Sequence, residues 1–330
     1  MNSGPQASNR NLVGISYILM GVGFLATMDS VAKVLVGAEY SVMQILAIRG
    51  WIIVFVMLLV LPKMGGLAAL KSKQPVKHLI RVVIGFASPY FLFRSFEVLG
   101  LADATVIFFG GATFLMTALS ALLFKEPVGR HRWGAVVVGF SGVIYAAQPT
   151  SGVFQIEALY AIASGASYAI MVLATRWLGA AEGTFKPVFY FNLGVACMGS
   201  LALPVVFKPM PTGDIITILT MAALAVGGHF CITRAFHTAP VSLLAPFEFS
   251  ALIWAAGLGY LIWSDIPATN VLVGAAIIVS SGAYLVHREA LAERAQKRAT
   301  EGLVVADPLI IASPVSVEEI ELAGLHRPAE

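Results

Sequence analysis

Eight ionisable side chains sit inside or at the rims of long apolar runs: Asp29, Lys33, Arg49, Arg94, Glu97, His229, Arg234 and Glu248. A charge at the centre of a membrane helix costs about 2.5–3.5 kcal/mol on insertion scales, so it faces a cavity or a partner. Asp29 and Lys33 are four residues apart and share a helix face, as do Arg94 and Glu97 at three apart. Such pairs can neutralise themselves near a helix end, where long side chains reach water cheaply. Alternatively, Asp29 and Lys33 form the outer half of a polar pathway and take the amine and carboxylate of a zwitterion. Arg49 has no acid within one turn, which calls for an interhelical tie to Asp29 or Glu97, or for a cavity. Glu248 follows a proline in Ala245-Pro246-Phe247-Glu248-Phe249. A proline frees a carbonyl one turn back, and bent helices are where carriers build sites, so Glu248 is either a candidate proton carrier or a glutamate tied to Arg234 or His229 in the neighbouring span. His229 follows Gly227-Gly228 as a cavity or packing residue. Tyr90, Phe93, Phe109, Tyr168, Asn192 and Trp254 could line a pocket, or serve only in packing and the aromatic belts.

These residues must be held by membrane helices. The chain has 330 residues, 58% hydrophobic and only 12% charged, against about 25% charged in soluble domains. Its net charge of +3 is scattered through loops and gives no footprint for nucleic acid. A spanning helix needs about 20 apolar residues. Ten runs qualify, at 12–36, 42–61, 79–99, 104–124, 132–148, 155–178, 186–207, 215–237, 241–263 and 270–287. The first is too long for a signal-peptide core and no cleavage pattern follows it, so it reads as a retained span. Seventeen lysines and arginines fall on the side of the N-terminus and only Lys33, Arg94 and Lys208 on the other. The positive-inside bias therefore places both termini in the cytoplasm.

The stretch Arg94–Gly142 is written twice. Shifted by 140 residues it meets Arg234–Gly282 with eight identities in 49 positions, among them Arg94/Arg234, Phe96/Phe236, Phe109/Phe249, Pro127/Pro267 and Gly134/Gly274. Further upstream, Tyr17 and Lys33 are echoed by Tyr160 and Arg176. Two copies of five spans each, an odd number, must lie upside down relative to one another, which is the architecture of alternating access. The expected fold class is an all-α membrane protein of ten transmembrane helices in two inverted five-helix repeats. The expected divisions are residues 1–11 (cytoplasmic N-terminus), 12–148 and 149–287 (the repeats), and 288–330 (a charged cytoplasmic tail).

Other chemistries find little support. Gly139-Phe140-Ser141-Gly142 spells the nucleophile pattern of intramembrane serine hydrolases, but it also fits tight helix packing, as do Gly21/Gly23 and Gly134/Gly142. The two cysteines, Cys197 and Cys231, lie in apolar runs and offer neither a disulfide framework nor a zinc set. No Walker A or HExxH pattern occurs, so no cofactor or metal is expected.

With these motifs in place, the chain resembles the EamA-type permeases of the drug/metabolite transporter superfamily over about residues 12–287. The resemblance is carried by Met28-Asp29-Ser30-Val31-Ala32-Lys33, Gln44 with Arg49, Arg94-Ser95-Phe96, Phe124-Lys125-Glu126-Pro127 and Gly134 with Gly142. The second half shows Arg234-Ala235-Phe236, Pro246, Asp265 in place of a glutamate, and Gly274 with Gly282. The resemblance implies a multi-pass inner-membrane carrier of a small polar metabolite such as an amino acid, vitamin or nucleotide-like compound. Its partners would be that substrate, membrane lipid and a coupling proton, and its substrate or gating residues would be drawn from the ionisable set above with Tyr168 and Trp254.

Overall fold

The computed structural model describes residues 5–124, 130–147, 156–178, 182, 185–238, 244, 247–284, 287 and 291. Residues up to Leu285 form one compact unit; in a second unit from Val286, His287 and Leu291 alone are described, both helical.

All the regular secondary structure among the described residues is helical. The helices are α1 (Pro5–Gly37), α2 (Val42–Val60), α3 (Pro75–Ser95), α4 (Leu101–Phe124), α5 (Arg130–Ala146), α6 (Ile156–Leu178), α7 (Phe185–Val206), α8 (Thr212–Thr238), α9 (Ser250–Trp263) and α10 (Thr269–Tyr284). Five stretches are long and apolar enough to cross a membrane: Leu12–Gly37, Val42–Met64, Pro75–Ser95, Phe185–Val206 and Thr212–Ala235. Five shorter apolar helices accompany them. Their outward faces carry bare Leu201, Val205, Ile253 and Leu261, a pattern that lipid, not water, accommodates.

Boundaries follow local chemistry. Helix α3 begins at Pro75, a residue pre-set for a first turn, and ends at Ser95, four residues earlier than the apolar run indicates. Two 3-10 turns, Leu61–Met64 and Gly66–Leu70, follow α2. At their junction Gly65 and Gly66 take φ of +102° and +66°, a conformation other residues adopt only with strain. The Lys125–Pro127 motif, Pro246 and the tail after Leu291 lie outside the described residues.

Small residues set the packing. Helix α1 packs along α8 and against α9, α3 along α6, α4 against α5, α6 and α9, and α2 along α7 with lesser contacts to α8. Backbones approach at Gly21/Gly228, Ser88/Ser164, Gly50/Ala196 and Gly142/Gly274. Of the four glycines expected at crossings, Gly21, Gly23 and Gly142 meet neighbours; a Cβ on Gly134 would meet nothing within 4 Å. The main core, from Leu35, Ile45 and Leu46 to Phe93, Phe114 and Met221, fills the interior between these crossings.

Candidate functional site

Polar side chains interrupt the buried stripes of three helices. On α8, Ile218, Ala222 and Ala225 are buried at spacings of four and three, and His229 continues the same face. His229 is nevertheless exposed. An accessible residue in line with a buried stripe, on the face turned from lipid, is placed to line a candidate polar hollow inside the bundle. On α6 the stripe Ala161, Ser164 and Gly165 leads to Tyr168, which is 38% exposed. On α1 the stripe Ile18, Val22 and Ala26 leads to half-buried Asp29.

Arg49 enters this hollow from α2 and is buried, at 6% exposure. Its Nη1 donates to the Met28 sulfur at 3.7 Å, its guanidinium lies over the Phe93 ring at 6.0 Å, and its Nε has no acceptor among the described residues. Asp29 and His229 both interact electrostatically with Arg49. Asp29 makes neither a hydrogen bond nor an ion pair with a described residue. The expected tie from Arg49 is therefore to Asp29, through space and not by contact. On the second side, Tyr168 packs edge-on against Phe108 at 5.5 Å and interacts electrostatically with Glu248. Trp254 of α9 lies against Gly23 of α1 and stays half-exposed.

Lys33 turns away from Asp29. Its Nζ donates to the Leu99 carbonyl at 2.7 Å, lies 3.7 Å from Asp265 and sits 5.2 Å above the Trp263 ring. Asp103 joins them: its Oδ2 and that of Asp265 lie 3.4 and 3.8 Å from where a Cβ on Gly100 would stand. This cluster draws α1, the α3–α4 turn and the α9–α10 turn together at the end of the bundle where α1 finishes. Arg94 and Glu97 pair with each other at 2.5 Å, and Arg94 lies over Tyr160 at 5.8 Å, so that pair neutralises itself at a helix end. Arg234 is exposed on α8. The Ser141 hydroxyl donates to the Val138 carbonyl of its own helix at 2.7 Å. Phe93 is a core residue beneath the Arg49 guanidinium; Asn192 bonds the Val188 carbonyl on its own helix at 2.9 Å and is a packing residue.

Sequence reasoning missed the polar locks at the bundle ends. Where α1 finishes, Gln44 binds the Lys208 backbone twice, donating to its carbonyl at 2.6 Å and accepting from its N–H at 2.8 Å. Tyr40 donates to Asp214 at 2.5 Å, a bond that pushes the phenol up to about 12. At the opposite end, buried Glu182 accepts from the Lys73 N–H at 3.0 Å and lies 3.5 Å from His78 and 3.4 Å from Lys186. Burial pushes the Glu182 carboxyl up, but the bonds from Lys73, Ser72 and His78 and the Lys186 charge outweigh it, so it stays below its ordinary range. Only the clustering of polar residues in short loops hinted at these locks. A shallow apolar groove at the α5–α10 crossing, lined by Val138, Val273, Ile277 and Tyr284, is separate from the hollow.

No family model matches the chain. A crystal structure of a protein 21% identical superposes with a TM-score of 0.56 over 85% of this chain and 98% of its own, a likeness in fold alone. An S-adenosylmethionine uptake transporter of Rickettsia felis is 24% identical over 283 residues, covering 84% of this chain and 94% of its own. A pseudopaline exporter of Pseudomonas aeruginosa is 26% identical over 224 residues, 66% and 77% of the two chains. A riboflavin transporter of Rhizobium johnstonii is 30% identical over 253 residues, 74% of this chain and 82% of its own. This multi-pass membrane chain therefore belongs to the transporter family that includes the Rhizobium johnstonii riboflavin transporter.

Proposed function

We propose that the protein is an EamA-type secondary carrier in the cytoplasmic membrane, with both termini in the cytoplasm, moving a small polar metabolite by alternating access. The observation that carries this reading is the polar hollow, where Asp29, Arg49, Tyr168 and His229 break otherwise buried apolar stripes. Charges so placed are costly unless a solute or water uses them. Relatives that move S-adenosylmethionine, riboflavin and pseudopaline support a metabolite-sized cargo.

Three crossings support two inverted halves. Adding 143, the spacing of Tyr17 and Tyr160, carries Gly21 to Ser164; subtracting 140, the spacing of Arg94 and Arg234, carries Gly228 to Ser88. The Gly21/Gly228 contact of α1 and α8 thereby becomes the Ser164–Ser88 contact of α6 and α3, where the Ser164 hydroxyl donates to the Ser88 carbonyl at 2.7 Å. On α2 and α7, Gly50 meets Ala196 while Gly199 meets Ala47, the same contact with the helices exchanged. Two further neighbour pairs follow the same rule, since α1–α9 exchanges with α6–α4 and α2–α8 with α7–α3.

Glu248 is the proposed proton carrier. Counterflow in proteoliposomes against a metabolite panel, with and without a pH gradient, tests the reading. A carrier accelerates exchange of its solute, and Glu248→Gln leaves exchange intact while abolishing proton-driven accumulation. Unchanged accumulation in that variant discards the proton role, and no exchange of any solute discards the carrier.

A further inference from the structure

Asp29 and Arg49, an acid and a base on neighbouring helices, interact electrostatically and do not touch. In a low-dielectric interior, neighbouring opposite charges ordinarily close into a hydrogen-bonded pair, since each is costly when left alone. Here Arg49 is more than nine-tenths buried, its Nε has no acceptor among the described residues, and its Nη1 is spent on a thioether. Asp29 makes no hydrogen bond or ion pair with a described residue. His229, exposed on α8, interacts electrostatically with Arg49. Lys33, the next cation along α1, is already held by Leu99 and Asp265.

We infer that this gap between Asp29 and Arg49 binds the α-amino carboxylate of an amino acid or an amino-acid-bearing metabolite, with its carboxylate on Arg49 and its ammonium on Asp29. The inference rests on the carrier reading and deepens it. A guanidinium presents a planar fork that matches a carboxylate, and its free donors are the ones a second oxygen would engage. A simple anion would be repelled by Asp29 and a simple cation by Arg49, so the pair selects a solute carrying both charged groups on one carbon. The Phe93 ring lies beneath the guanidinium at 6.0 Å and backs the fork on one side.

Melting of the purified full chain in nanodiscs, titrated with the common amino acids and S-adenosylmethionine, tests this. Each compound that stabilises is compared with its amide, which lacks the carboxylate, and with its deaminated acid, which lacks the ammonium. At least one parent should stabilise, with each truncated form at least tenfold weaker. Arg49→Gln should erase the gap between parent and amide while keeping that between parent and deaminated acid; Asp29→Asn should do the reverse. Both readouts are ratios within one variant, so a general loss of stability leaves them interpretable. Truncated forms that bind like the parent, gaps that survive in both variants, or no stabilising compound would overturn the inference. Riboflavin counterflow that persists in both variants would also overturn it, while leaving the carrier reading in place. Discriminating binding with no flux of any solute would uphold the binding site and remove the carrier.

Discussion

Gly50 of α2 packs so closely on Ala196 of α7 that a Cβ on the glycine would lie 2.9 Å from the alanine backbone nitrogen. Its counterpart Gly199 approaches the Ala47 nitrogen at 2.8 Å. Neither backbone can yield without parting the two helices. Gly50→Ala and Gly199→Ala should each destabilise the purified protein by about 1–3 kcal/mol, the usual cost of overpacking. Gly257→Ala, with nothing within 4 Å of the added carbon, should be neutral or slightly stabilising. Thermal melts in one detergent compare the three, and equal midpoints for all would contradict the packing argument.

The double bond from Gln44 to the Lys208 backbone has a different signature. Gln44→Leu keeps the bulk but loses both part-buried hydrogen bonds to the Lys208 backbone, which costs about 0.5–1.5 kcal/mol for each. Gln44→Glu retains the acceptor and loses the donor, so it should fall between leucine and wild type in chemical denaturation. A leucine variant as stable as wild type would show that water replaces the lock at no cost.

Lys33 and Asp265 join α1 to the α9–α10 turn through a pair whose acid is 45% exposed. Exposed pairs contribute only about 0–1 kcal/mol, so Asp265→Asn should leave the melting midpoint almost unchanged. As a proposed gate at the end of the bundle where α1 finishes, the pair should act in transport: exchange should change severalfold in Asp265→Asn, and Lys33→Asp with Asp265→Lys should restore it. Unchanged exchange in both single variants would remove the gate.

Glu182 makes stability depend on pH. Its carboxyl is held below its ordinary value of 4.5 by Lys73, Ser72, His78 and Lys186, which more than offset its burial. A group depressed in the folded state contributes stability above its unfolded value and loses it as pH falls through the folded one. The melting midpoint should therefore be level above about pH 5 and decline below pH 4.5, and Glu182→Gln should flatten that decline. A decline of equal slope in the variant would assign it to other carboxylates.

The helices were legible because lipid imposes one rule, a long apolar run, and the runs at 42–61 and 155–178 fall within a residue of α2 and α6. The run at 79–99 was misplaced because hydropathy ignores Pro75, which starts α3, and the turn after Ser95, which stops it. The ionisable residues were legible as exceptions, yet their partners were not. Asp29 and Lys33 share a helix face, but Lys33 reaches Leu99 and Asp265, contacts made 66 and 232 residues away along the chain. Glu182 and His78 went unseen because a buried loop carboxylate has the same sequence appearance as a solvated one.

The central claim is that one hollow is open to each side of the membrane in turn. His229→Cys, in a background with Cys197→Ser and Cys231→Ser, places a single thiol there. The thiol is then challenged with a membrane-impermeant maleimide from outside in intact cells and from inside in inverted vesicles. The account predicts labelling from both sides, slowed by the transported solute. Labelling from one side only, or from neither, would contradict it.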